Sequence, residues 1–195
     1  MVGGKGTVQA ALALQGHAPP QHLTLPEELW PYAGRKCWRT TPDALRAGGN
    51  FPVFVKPYMR EKVFAGQVLE SVEDLDELMV PRPGFPPVTT DFDILAQRPV
   101  TFLSEWKSYV MRGQTVGISH QKGDPLLFPD PQVIRDVQAT YQNAPAGHGA
   151  DYGVLDNGKT VLVEINDGYA LGQGGLHAMV YAELLLARWD ELTAQ

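Results

Sequence analysis

The sequence predicts an α+β fold in which antiparallel hairpins and capped helices build two lobes. Three observations predict it. Two long runs of strand-forming residues turn back on themselves, one around Gly113-Gln114 and one around Asn157-Gly158. Helical segments with recognisable starts precede, separate and follow them. The stretch Val80-Pro81-Arg82-Pro83-Gly84-Phe85-Pro86-Pro87 is the most proline-dense part of the chain and reads as a loop or hinge between lobes.

Taken in order, Val8 to Leu14 forms a short helix with Val8, Ala11 and Leu12 on one side, and Gly16 stops it. Pro26-Glu27-Glu28-Leu29 is the first turn of another helix, with proline at its first position and acids in its first turn. Asp43 to Ala47 is too short to assign. Val53-Phe54-Val55-Lys56 is a strand limited by Pro57. Val63 to Leu69 resumes as strand, and Asp74 to Met79 is a helical turn. The first hairpin joins residues 102–112 to 115–122, with Gly113 at the first loop position of a type II′ turn. Asp130 caps a helix that runs to about Asn143, with Pro131 at its first position and Val133, Val137 and Tyr141 on one face. The second hairpin joins residues 151–155 to 160–166 around Asn157-Gly158, and Gly172-Gln173-Gly174-Gly175 then breaks the chain. A last helix runs from about Leu176 to Leu192, with Val180, Leu184 and Ala187 on its apolar stripe.

Composition bounds the function. The chain has 195 residues, 44% apolar and 19% charged, with a formal charge of −6. An acidic balance opposes unguided binding to nucleic acid or to an anionic membrane. A polyanion would have to be held by a few placed cations and a metal. A single cysteine, Cys37, cannot form an internal disulfide, and no apolar run approaches the ~18 residues of a membrane span. The start of the sequence lacks a long apolar leader, so the cytoplasm is the expected compartment. The five histidines show no zinc-ligand spacing.

The second hairpin carries the sharpest chemistry. With Asn157 and Gly158 as the loop, Asp156 faces Lys159, Val154 faces Val161, Tyr152 faces Val163 and Asp151 faces Glu164. Strand alternation then puts Leu162, Glu164 and Asn166 on one face and Val161, Val163 and Ile165 on a core face. Carboxylates directly opposed on neighbouring strands repel. Two of them beside an amide oxygen fit a hard cation, and Mg²⁺ takes such ligands together with nucleotide phosphates. A solvated acidic face without an ion is the plainer alternative. In the first hairpin the Gly113-Gln114 loop pairs Lys107 with His120 and Glu105 with Lys122, all on one face with Tyr109. That cluster could hold phosphates, or could be a solvent face of weak cross-strand ion pairs. Lys56 ends an apolar strand and by itself reads as an edge residue. The glycines at 172–175 precede a helix but lack the Walker spacing.

Phe54-Val55-Lys56-Pro57, Lys62 with Phe64 and Gly66, the run from Ser104 to Val110, Asp151-Tyr152-Gly153-Val154, and Val163-Glu164-Ile165-Asn166-Asp167 together resemble the ATP-grasp superfamily. The likeness is closest to a small clade described through an arginine and two lysines, and it spans nearly the whole chain. The resemblance implies an ATP-grasp fold with ATP held between antiparallel sheets of two lobes. It implies an abbreviated N-terminal region over 1–50 and an ATP-grasp domain over 51–195, with a small lobe to about 95 and a large lobe from about 96. Lys56 and Lys62 would contact phosphates or adenine. Residues 95–100, with Gln97 and Val100, would form the hinge at adenine, and Glu105 would approach the ribose. Lys107, His120 and Lys122 would serve catalysis near the triphosphate, and Asp151, Glu164 and Asn166 would hold Mg²⁺. Members often carry arginine where Lys107 stands; lysine keeps the charge but not the bidentate fork.

The implied reaction is activation of a carboxylate as an acyl phosphate, captured by an amine. The substrates would be small-molecule or peptide carboxylates and amines, or an acceptor supplied by a partner protein. A kinase-like phosphoryl transfer and a non-catalytic ATP-binding module are the alternatives.

Overall fold

The computed structural model describes residues 4–58 and 63–194. Arg60 and Lys62, placed by the sequence in a turn after the Lys56 strand, lie outside the described residues. The chain divides into two compact units, Arg35–Val100 and a unit made of Met1–Gly34 with Thr101–Gln195. Residues 35–50, expected within an N-terminal region, therefore belong with the strand that carries Lys56. The proline-dense stretch at 80–87 lies inside the Arg35–Val100 unit, away from both of its boundaries.

The Arg35–Val100 unit is a four-stranded antiparallel sheet in the order β1-β4-β2-β3, formed by β1 (Cys37–Thr40), β2 (Val53–Pro57), β3 (Gln67–Leu69) and β4 (Ile94–Gln97). Helices α2 (Pro42–Gly48) and α3 (Val72–Met79) complete it. Both are defined at their starts. Thr41 accepts a hydrogen bond from Ala44 N ahead of Pro42, and Ser71 and Asp74 form a capping box. The core gathers Val53, Val55, Leu69, Ile94 and Ala96 from one sheet face with Leu45, Leu75 and Leu78 from the helices. Each such valine, leucine or isoleucine contributes about 1.5–3 kcal/mol on burial. By register, Lys56 and Gln97 lie on the other face, because Lys56 opposes Leu95 while the core residue Val55 opposes Ala96. Of the 63–69 stretch only the last three residues are strand.

The second unit is built on the sheet β6-β5-β7-β8, from β5 (Phe102–Met111), β6 (Gln114–Gly123), β7 (Gly147–Leu155) and β8 (Thr160–Asp167). Helices α1 (Lys5–Leu14), α4 (Pro131–Thr140) and α5 (Ala178–Thr193) and short 3-10 helices at Glu27–Ala33 and Gly168–Ala170 surround it. Asp130 caps α4 as expected, accepting from Gln132 N at 2.8 Å. Pro26 stands just before its 3-10 helix rather than at the first position.

Both hairpin turns differ from expectation by one residue. In the first, Met111 pairs with Gln114, so the loop is Arg112-Gly113, with φ of 48° and 76°. Positive φ at both positions is the type I′ pattern, whose twist matches that of the flanking strands. In the second, Leu155 N donates to Lys159 O and Gly158 N to Leu155 O, leaving a three-residue loop closed by Gly158 at φ 77°. Irregularities further along each ladder undo the offset.

Candidate nucleotide and metal site

Four strands place one straight row of side chains across the large sheet. Ser119 on β6 opposes Lys107 on β5, Lys107 opposes Asp151 on β7, and Asp151 opposes Glu164 on β8. Asn166 follows two residues on, opposite Gly149. The sequence expected Asp151 opposite Glu164, and the ladder shift between Asp151 and Tyr152 restores that pairing after the longer turn. On the turn side of that shift the longer loop still sets the register, and Tyr152 pairs with Leu162 instead of Val163. Leu162 therefore sits beside Tyr152, buried, and not on the face of Glu164 and Asn166 as alternation alone predicted.

The side chains in this row touch. Lys107 Nζ lies 3.1 Å from Asp151 Oδ1, and both side chains are mostly buried. Asn166 Nδ2 donates to Asp151 Oδ2 at 3.1 Å and to Glu164 Oε1 at 3.2 Å. Asp151 Oδ1 is shut off from solvent and receives no well-directed hydrogen bond. Burial pushes the Asp151 carboxyl up to about 6; the Glu164 charge adds to this, while the Lys107 ammonium and the Asn166 amide oppose it.

The donor set fits a hard divalent cation: two carboxylates and an amide oxygen, one carboxylate oxygen being buried and short of partners. Among the described residues, no three or more His, Cys, Asp and Glu side chains converge as a metal cluster. Such an ion would draw its remaining ligands from water and phosphate, as Mg²⁺ commonly does.

Packing beside the row depends on small residues. A Cβ on Gly149 would stand 2.8 Å from Leu171 Cδ2 and 3.6 Å from Lys107 Cδ. A Cβ on Gly174 would overlap the Tyr109 hydroxyl. Gly174 is thus laid against the sheet beside Tyr109 and Ser119.

The other expected residues are distributed as follows. Glu105 opposes Lys122 as expected, 3.8 Å apart, with the lysine 81% exposed. His120 opposes Trp106, not Lys107. Neighbours along a strand face opposite ways, so His120 lies on the sheet face away from Lys107 and Asp151. There its ring packs edge-on to Trp106 at 5.0 Å, and Trp106 packs in turn on Phe128. The expected face shared by Lys107, His120, Lys122 and Tyr109 is therefore incomplete. Lys56 is on the internal strand β2 and only 9% exposed, so it is not an edge residue. Gln97 ends β4, its Oε1 accepting from Arg35 Nε and Nη2 at 3.1 and 2.9 Å. Val100 is the last residue of that unit.

One element near the site escaped the sequence reading. Arg188 on α5 pairs with Asp167, the residue after Asn166. Its position four residues after Leu184, on the stripe that the helix buries, was the available signal for a buried partner.

Comparison with known families shows what the chain is similar to. The model of an ATP-grasp domain, family 2 of the clade described through an arginine and two lysines, matches residues 32–184. The chain belongs to the ATP-grasp family. The ATP-grasp fold also appears among solved structures. D-alanine–D-alanine ligase from Bacillus anthracis is 16% identical, with a TM-score of 0.56 over 96% of this chain and 75% of that one. Its complex with ATP matches at 16% identity with a TM-score of 0.52 over 98% and 75%. A RimK domain ATP-grasp protein from Sphaerobacter thermophilus is 12% identical, with a TM-score of 0.51 over 100% of this chain and 67% of that one. At these identities the likeness is one of fold. Comparison with curated proteins gave no match. No helix among the described residues is long and apolar enough to cross a membrane.

Proposed function

We propose that this ATP-grasp protein is a Mg-ATP-dependent ligase that activates a carboxylate as an acyl phosphate and passes it to an amine. The observation that carries the reading is the convergence of Asp151, Glu164 and Asn166 beside Lys107, in a chain of a family named for grasping ATP. In this reading Asp151, Glu164 and Asn166 hold Mg²⁺, which supplies charge neutralisation to the phosphates. Lys107 adds a second positive charge on the same sheet face. Lys56, Lys62, Gln97, Val100 and Glu105 serve the rest of the nucleotide. An oxygen of the substrate carboxylate attacks the γ-phosphorus, the bond to the bridging oxygen breaks, and ADP leaves. The amine then attacks the acyl carbon, phosphate leaves, and the amine nitrogen loses a proton. Catalysis is mainly electrostatic.

Solved relatives of the fold include a D-alanine–D-alanine ligase, which supports small carboxylates and amines as substrates; an acceptor on a partner protein fits the same chemistry. The test is an ADP-release screen across amino acids, small peptides and candidate protein acceptors, with products read by phosphorus NMR. ADP and phosphate, formed only with an acceptor present, are expected. AMP and pyrophosphate would overturn the acyl-phosphate reading.

A further inference from the structure

Three contacts in the Asp151–Glu164–Asn166 group set a donor against a carboxylate oxygen. The Lys107 ammonium sits on Asp151 Oδ1 at 3.1 Å. The Asn166 amide nitrogen is shared between Asp151 Oδ2 and Glu164 Oε1 at 3.1 and 3.2 Å. A metal ion needs the reverse, lone pairs turned toward it. For Asp151 and Asn166 to act as ligands, the ammonium must leave Oδ1 and the amide must turn over to present its oxygen.

The geometry lets this happen at one point. Asp151 and Glu164 are fixed by the ladder as strand partners, as are Lys107 and Asp151. The mobile part is the four-carbon stem of the lysine, which runs beside Gly149, where a Cβ would stand 3.6 Å from Lys107 Cδ. The charges set the order. A divalent ion entering at Asp151 would set two further positive charges beside the Lys107 ammonium in a mostly buried place, where screening is slight. A nucleotide phosphate supplies the anion that can take the ammonium away.

We infer that Lys107 is an exchangeable internal cation: it pairs with Asp151, the strand partner of Glu164, and it moves from Asp151 to a phosphate as metal enters, so that metal and nucleotide bind as a coupled pair. The coupling rests on the nucleotide-binding reading above; the competition between Lys107 and metal does not.

Mn²⁺, a paramagnetic stand-in for Mg²⁺ at oxygen sites, makes both parts measurable. The full chain is titrated with Mn²⁺ by electron paramagnetic resonance, alone and with a non-hydrolysable ATP analogue, as parent and as Lys107→Met. The parent should bind Mn²⁺ at least about tenfold more tightly with the analogue than without it. Lys107→Met should bind Mn²⁺ without nucleotide at least about tenfold more tightly than the parent, and should lose most of that coupling. Adding Asp151→Asn to Lys107→Met should return the affinity to the parent level. Lys107→Gln provides the same neutral test should the methionine variant fail to fold. Equal Mn²⁺ affinity in parent and neutral variants would overturn the inference, as would a gain that survives Asp151→Asn. If the parent binds no nucleotide, the functional reading fails with the coupling, while the nucleotide-free arm still decides the role of Lys107.

Discussion

Arg188 holds Asp167 through two hydrogen bonds, from Nε to Oδ1 at 2.8 Å and from Nη2 to Oδ2 at 2.6 Å. The side chains are only 10% and 5% exposed. Asp167 directly follows Asn166, so this pair ties the end of β8 to α5. Glu191 extends it, accepting from Arg188 Nη1 at 2.6 Å and from Ala146 N at 2.8 Å. Close seating makes the link possible, because a Cβ on Gly147 or Gly168 would meet Arg188 Cβ at 3.2 or 3.3 Å.

Breaking this pair from one side should be costly. Arg188→Met leaves Asp167 buried without its counter-charge, a change that costs about 3–5 kcal/mol in comparable buried pairs. Urea unfolding should show that loss. Arg188→Met combined with Asp167→Asn should recover a large part of it, because no unpaired charge then remains. A double variant as unstable as the single one would mean that packing of the arginine stem, not charge, is what matters.

Asp151 should make stability depend on pH. Its carboxyl is raised to about 6 in the folded protein, first of all by burial. The folded state therefore holds that proton more tightly than the unfolded chain. The contribution is fully present below the unfolded value near about 3.9 and is lost as pH rises through about 6. Asp151→Asn removes this titration. The melting temperature of the variant, relative to the parent, should rise by a few degrees between about pH 4 and pH 7 without metal or nucleotide. A difference that stays flat across this window would show that Asp151 is ionised throughout at little cost.

His120 separates the two faces of the sheet by experiment. It packs on Trp106, away from Lys107 and Asp151. His120→Gln should leave Mg-ATP affinity within about twofold of the parent while lowering thermal stability slightly through the lost ring contact. Calorimetric titration checks it. A tenfold loss of nucleotide affinity with unchanged stability would put His120 back at the triphosphate, where the family resemblance placed it.

Much of the fold was legible because its signals are local. Asp130-Pro131 starts α4, and Asn157-Gly158 turns the second hairpin. The short strand Cys37–Thr40 was not legible: its four residues show no apolar alternation, and it exists because β4 supplies its hydrogen-bond partners. The first hairpin was misread by one residue because Arg112 takes a positive φ that its residue type does not advertise. At Glu105 and Lys122 the ladder irregularities recover the expected pair, while at Lys107 they do not.

By itself, the sequence determined that Asp151 and Glu164 meet. The two residues lie in one hairpin joined by a short loop, which keeps them close, and the ladder shift beside Asp151 offsets the longer turn so that they stand directly opposite. That Lys107 meets Asp151, and that Arg188 meets Asp167 at the end of β8, was decided only in the tertiary structure. β5 and β7 are separated in the chain by β6 and α4, and α5 comes later still. Nothing in local periodicity chooses between possible partners for a strand whose neighbour is not next in sequence. That choice belongs to the packing of the whole sheet, which places one ammonium on the oxygen that a metal would claim.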